Sequence, residues 1–203
     1  MKMPLGYKEA PVGGFTQISL GGHHLTIKQV NETKSKTGKD MIVVLFDFAD
    51  NDSQAGLITE DFKNDTRTDK KWPHRGTAYI LVHDWQDENK TNKDFKTFCT
   101  CFERSNNKSI NWETDKWGEQ FKDAKIGGAF GLVHSVYEGQ EQVKPELRWF
   151  VTDDHVDPEN IPNEKMLSEK DKALIAPDPH ASTATDADGF MQISDGEAEE
   201  LPF

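Results

Sequence analysis

Apolar and polar positions alternate from Leu25 to Val30, with Leu25, Ile27 and Gln29 on one side and Thr26, Lys28 and Val30 on the other. A two-residue period rich in β-branched side chains predicts a strand. Asn31 to Asp40 places Gly38 among Lys and Thr residues, a hairpin turn signal. Met41 to Phe48 (MIVVLFDF) is the most apolar run in the chain and predicts a central strand. A third strand is expected over Gly56 to Phe62, and another over Thr77 to Trp85 (TAYILVHDW). Between them, Asn64 to Gly76 (NDTRTDKKWPHRG) is a polar, basic connection broken by Pro73.

The period then changes. Phe95, Phe98, Cys99 and Phe102 fall at helical spacing, so a helix is predicted over Lys93 to Ser105, capped by Asn92 and ended by Asn106 and Asn107. A short amphipathic turn follows over Trp117 to Phe121. Ile126 to Tyr137 and Lys144 to Thr152 read as a last hairpin across Gly139, and Met166 to Ile175 as a short helix. A mainly β chain with one substantial helix between an early group of strands and a late pair predicts a five-stranded OB-type barrel. In this reading the strand near residue 80 is an addition to the five. The domain is expected over residues 21–153, after a lead-in at residues 1–20.

Beyond Asp153 the composition shifts. Asp157-Pro158, Ile161-Pro162, Pro177 and Pro179 interrupt regular structure, and residues 177–200 are rich in Asp, Glu, Ala, Ser, Thr and Gly. Such a segment buries too little apolar surface to offset its ordering entropy, so residues 154–203 are expected to form a disordered acidic tail. This changes the meaning of the net charge of −12. Residues 1–152 hold 21 Lys+Arg against 22 Asp+Glu, whereas residues 173–203 hold seven acids and no Lys or Arg. The body is nearly neutral and the acid sits at the end, which leaves a nucleic-acid-binding body open.

No apolar stretch approaches the length of a membrane span, and Met1 to Ala10 carries no secretory signature. Cys99 and Cys101 are too close in sequence to suggest a disulfide scaffold, so a reducing, cytoplasmic setting is expected.

The sharpest local feature is the end. Asp195, Glu197, Glu199 and Glu200 precede Leu201-Pro202-Phe203. A basic-rimmed apolar pocket on a partner can take the Phe203 ring and pair its carboxylate, while the upstream acids steer the encounter. Glu-Glu-Leu-Pro-Phe resembles the acidic tip of bacterial single-stranded-DNA-binding proteins. The body resembles a single-stranded-DNA-binding-like family of phages and prophages of Gram-positive bacteria, through Asp65 to Gly76 with its Lys70-Lys71-Trp72-Pro73 core, Phe95 to Asn107, Ile110 to Glu113, Lys125 to Phe130, and Leu147 to Phe150. The large basic insertion departs from the classical bacterial protein. The resemblance implies a non-enzymatic protein that coats single-stranded DNA and recruits replication or recombination proteins through its tip, in the bacterial host cytoplasm if phage-encoded.

A second constellation is basic and aromatic. Lys34, Lys36 and Lys39 sit in the first turn. Lys63, Arg67, Lys70, Lys71 and Arg75 flank Trp72 in the long connection. Single-stranded DNA needs cations along its phosphates and flat rings under its bases. The candidate stacking residues are Trp72, Phe46, Phe48, Tyr79 and Trp85, with Phe46 and Phe48 on one face of their strand; a core role for those two competes with stacking.

Enzymatic signals are weak. Asp50, Asp52 and Asp61 evoke a calcium loop, but Ala55 and Gln54 break the pattern. His23-His24 and the two cysteines do not assemble a zinc site on spacing. Neither a cofactor nor a metal is expected. The rival readings are a protein-interaction module without DNA binding, and a metal-dependent nuclease using the carboxylates near residues 50–61. Strand annealing shares the binding step, and oligomeric state stays open.

Overall fold

The structure, a computed structural model, describes residues 16–175. The chain forms five strands, β1 (Gly21–Lys34), β2 (Asp40–Phe48), β3 (Thr77–Leu81), β4 (Lys125–Tyr137) and β5 (Gln140–Val151), with helices α1 (Leu57–Asn64), α2 (Lys93–Asn106) and α3 (Glu169–Lys172). The strands make one antiparallel sheet in the order β3-β2-β1-β4-β5. The described residues fall into two compact units: one runs up to His134 and resumes over Val143–Met166, the other comprises Ser135–Gln142 and the residues from Leu167 onward.

The core of the first unit is aromatic. Phe46, Phe98, Phe102, Phe121 and Phe130 are fully buried, together with Leu25, Ile27, Val44 and Ile126. Phe121 packs on α2, with ring centroids 4.5 Å from Phe102 and 5.4 Å from Phe98, and Phe98 joins α2 to the sheet, 5.2 Å from Phe150 of β5. Offset ring pairs at these separations add stabilisation beyond their buried area. Helix α2 forms as its spacing predicts. Asn92 caps it, its side-chain oxygen accepting from the Asp94 and Phe95 amides, and Asn107 ends it in the left-handed region at φ 47°.

Three expectations are corrected. First, residues 56–62 are not a strand. They begin α1, whose first turn is held by Asp47 of β2: its buried carboxylate accepts from the Ile58 amide at 2.9 Å, the Thr59 amide at 3.1 Å and the Thr59 hydroxyl. A carboxylate at a helix N-terminus satisfies orphan donors and complements the helix dipole. The strand near residue 80 is therefore β3 itself, the third of five, and it stops at Leu81, short of Trp85.

Second, the even alternation over Leu25 to Val30 is broken. The register shifts between Ile27 and Gln29, a bulge at Lys28. The extra residue reverses the side-chain parity, so Val30 returns to the core beside Leu25 and Ile27 while Gln29 points out.

Third, the ordered body does not end at Asp153. Residues 153–165 run along β1 and β4, with the Gly22 amide donating to Asp157 O, and His134 N and Lys165 N donating to Lys165 O and Leu132 O, each at 2.9 Å. Glycines permit this approach. A Cβ on Gly21 would lie 2.0 Å from the Pro158 carbonyl oxygen, and one on Gly131 would lie 2.9 Å from Pro162 Cβ.

In the second unit, Glu138 and Gly139, both at positive φ, turn β4 into β5. Ser168 caps α3, accepting from the Asp171 amide at 3.2 Å. Among the described residues no helix is long and apolar enough to cross a membrane.

Candidate nucleic-acid interface

The inner face of β2 carries Ile42, Val44 and Phe46, all buried. Parity then assigns Met41, Val43 and Leu45 to the opposite face, where each is half-buried. The register extends this face sideways. Met41, Val43 and Leu45 pair with Thr33, Asn31 and Gln29 of β1 on one side, and with Leu81, Tyr79 and Thr77 of β3 on the other. The result is an apolar strip between polar side chains and Tyr79, which is 57% exposed. The His74 ring lies 6.0 Å from the Tyr79 ring at a 35° tilt, which adds a second flat group at the start of β3.

Phe46 and Phe48 do not belong to this face. They are packed in the core against Phe130, at 6.1 and 5.5 Å between centroids, and present no ring face to a base. Both are removed from the stacking set. The reason is the same parity that exposes Val43.

At one end of the strip, the β1–β2 turn sets one of its lysines over an exposed ring. Lys39 Nζ lies 5.0 Å above the centre of the Trp85 ring and donates to the Trp85 carbonyl at 2.6 Å. Trp85 is 66% exposed, so its other face is open to solvent. Lys34 pairs with Asp40 at 2.7 Å, and this contact holds the Asp40 carboxyl below the usual carboxylate range. Lys36 is exposed in the same turn.

The long connection is arranged differently. Trp72 is half-buried against the core, its indole N–H donates to the Gly76 carbonyl at 3.0 Å, and its ring lies 5.6 Å from Phe62. Gly76 has no side chain because a Cβ there would meet Ile58 Cγ2 at 2.4 Å and Trp72 Nε1 at 2.8 Å. Arg75 forms an ion pair with Asp61 and donates to the Thr16 carbonyl at 2.5 Å, so it ties the start of the described chain to α1. Arg67 forms a two-pronged pair with Asp65, whose carboxyl the guanidinium hydrogen bonds pull down to about 2. Lys70 lies 4.8 Å above the Phe62 ring, and Lys63 and Lys71 are exposed. Of the sequence-selected residues, the fold brings Tyr79 to the sheet strip and groups Lys39 with Trp85. It draws Trp72 and Arg75 into structural roles.

Sequence reasoning passed over Met41, Val43 and Leu45, because a continuous apolar run does not show which members face out. It also passed over Trp149, 43% exposed on β5, which borders a cavity of about 740 Å³ that Tyr79 also lines.

One arrangement has the connectivity of a hydrolytic triad. Ser19 Oγ lies 3.2 Å from His23 Nε2, and His23 Nδ1 lies 3.0 Å from Asp52 Oδ1. Its polar contacts are structural. Nε2 is also 3.0 Å from the Ser19 carbonyl oxygen, which competes with the hydroxyl for this nitrogen. Ser19 Oγ donates instead to Gln54 Oε1 at 3.1 Å, and Asp52 further accepts from the His24 and Gln54 amides at 2.9 Å each. Cys99 is equally poor as a nucleophile, since burial pushes its thiol up to about 12. Among the described residues, no group of three His, Cys, Asp or Glu side chains is placed to hold a metal. The tip, Asp195 to Phe203, lies outside the described residues.

The chain matches no protein-family model and no curated protein.

Proposed function

We propose that this chain binds single-stranded DNA without reading sequence, on an OB-type barrel, and that the segment from Asp195 to Phe203 docks replication or recombination proteins. The observation that carries the reading is the outer face of β2 and β3: the strip of Met41, Val43 and Leu45, with Tyr79 paired to Val43, bordered by Lys39 and the exposed Trp85 ring. Unstacked bases rest on such apolar and aromatic surface, and flanking lysines follow the phosphates. The strand order β3-β2-β1-β4-β5, with α2 between β3 and β4, supports the OB-type assignment, since OB barrels bind on this part of the sheet and its adjoining loops.

The mechanism is stoichiometric coating. Cations outside the strip supply affinity that weakens with salt. The acidic segment reaches partners while the body holds the strand, and in the absence of DNA it competes for the same cations.

Fluorescence anisotropy of labelled oligo-dT, at two salt concentrations with duplex DNA as control, tests the reading. Binding to the single strand alone, weakened by salt and by Tyr79→Ala, is expected. Absence of binding at low salt, even in a variant lacking residues 194–203, overturns it and leaves the protein-interaction module. Deleting residues 194–203 should raise affinity at low salt; unchanged affinity refutes the competition.

A further inference from the structure

The two strands that end the sheet, β3 and β5, border one cavity of about 740 Å³. Residues 77–80 of β3 and 143–150 of β5 all line it. Consecutive residues of a strand point to opposite faces. A space bordered by both parities therefore lies off the open edges and not over one face. On β3 this is explicit: Ala78 and Ile80 are packed on the core, while Tyr79 belongs to the outer strip, where it pairs with Val43. Tyr79 is shared, so the strip continues over the edge of β3 into the cavity.

The lining favours a flat, uncharged occupant. Rings come from both edges: Tyr79, with its neighbour His74, at β3 and Trp149, 43% exposed, at β5. The fixed charges balance, Arg75, Lys144 and Arg148 against Asp61, Asp94 and Glu146, and Arg75 and Asp61 are paired to each other. A balanced lining exerts little net pull on a phosphate. An edge strand directs alternate N–H and C=O groups away from its single neighbour, and a base carries both donors and acceptors to meet them. The volume falls within the range of about 300–1,000 Å³ that buries a drug-sized ligand, which is enough for a nucleotide. A peptide strand would use the same edges, but β3 spans only five residues and Pro145 takes one donor from β5, so the ladder open to it is short and interrupted.

We propose that a single strand bound on the strip turns over the edge of β3 and lodges one unstacked base in this cavity, stacked on Trp149. Backbone groups of β3 and β5 meet the polar edge of the base, and its phosphates stay outside. Stacking on a ring tolerates any base, because every base has a flat face. The inference rests on the proposed single-strand binding and adds to it a built site for one nucleotide, with Trp149 as its stacking residue.

Anisotropy of the full chain on the shortest oligo-dT that keeps full affinity, which fixes the register, tests it together with the same oligonucleotide lacking one base at each position in turn. Trp149→Ala should weaken binding to the intact strand on the order of tenfold, the worth of one stacked base, and Trp149→Phe should restore most of it. At one abasic position Trp149→Ala and the parent should bind alike, since the ring and the base it holds are then both gone. Hydrogen exchange at residues 77–81 and 143–150 should slow when the oligonucleotide binds. Parent affinity in Trp149→Ala, with Tyr79→Ala still weakened, overturns the inference and leaves the binding reading standing. A tenfold loss that persists at every abasic position also overturns it, because the ring then acts through the fold. Binding that leaves exchange at residues 143–150 unchanged overturns it and assigns these edges to a partner's strand. Absence of any binding by the parent, with or without residues 194–203, removes the binding reading itself and this inference with it.

Discussion

Two segments of this chain combine basic residues with a tryptophan, and they are built for different work. In the β1–β2 turn, Lys39 covers one face of Trp85 and leaves the ring mostly in solvent. In the connection from α1 to β3, Trp72 is wedged beside Phe62, its N–H is held by Gly76, and Arg75 is tied to Asp61 and Thr16. Composition is shared; what covers the ring is not. The exposed tryptophan is suited to a ligand, whereas the half-buried one holds the connection to the core. A basic-aromatic cluster identifies a binding surface only when its rings are uncovered and its cations are not committed to carboxylates.

Four substitutions break or sharpen this contrast. Trp72→Ala should have the largest effect, lowering stability by about 3 kcal/mol in denaturant unfolding, because it removes packed ring area and leaves the Gly76 carbonyl without its donor. A variant that keeps its midpoint but loses oligo-dT binding would reverse the roles of the two tryptophans. Trp85→Ala should leave the midpoint in place and weaken oligo-dT binding by about 1–3 kcal/mol, the worth of one stacked base. Lys39→Gln should act more gently: the slope of log affinity against log salt falls by about 0.7 for one lost phosphate contact on a single strand. An unchanged slope would remove Lys39 from the interface.

Arg67→Ala should do least. The Asp65 carboxyl is depressed in the folded state by Arg67, so any stabilisation from the pair is present above the ordinary carboxylate range and is lost as pH falls toward about 2. Arg67 is exposed to solvent, which screens the pair. Melting temperatures of the variant and the parent should therefore coincide at pH 7 and pH 2.5. A clear gap at pH 7 that narrows at pH 2.5 would give the connection an electrostatic role comparable to its tryptophan.

The parts legible in the sequence are those governed by local pattern. Helix α2 follows from the spacing of Phe95, Phe98, Cys99 and Phe102 and from the Asn92 cap, and all of these behave as the pattern requires. Strand β2 follows from its apolar run. The misread parts depend on partners distant in sequence. Residues 56–62 become helical because Asp47, in a neighbouring strand, caps them from inside the core. Residues 153–165 look like the start of a tail, yet Gly21, Gly22 and Gly131 open a path for them along the sheet. For the interface, Tyr79, Trp85 and Lys39 could be nominated from residue type. The Met41, Val43 and Leu45 face could not, because a fully apolar run hides its own parity.

By itself, the sequence determined the mainly β character, the position of α2, the nearly neutral body and the acidic end. Periodicity and charge act between near neighbours and need no knowledge of the rest of the chain. The tertiary structure decided which tryptophan is covered, which face of β2 is open, that the bulge at Lys28 returns Val30 to the core, and that β3 and β5 end the sheet beside one cavity. These outcomes depend on pairing register and on carboxylates and glycines remote in the chain, and register is settled only when the whole sheet packs on its core.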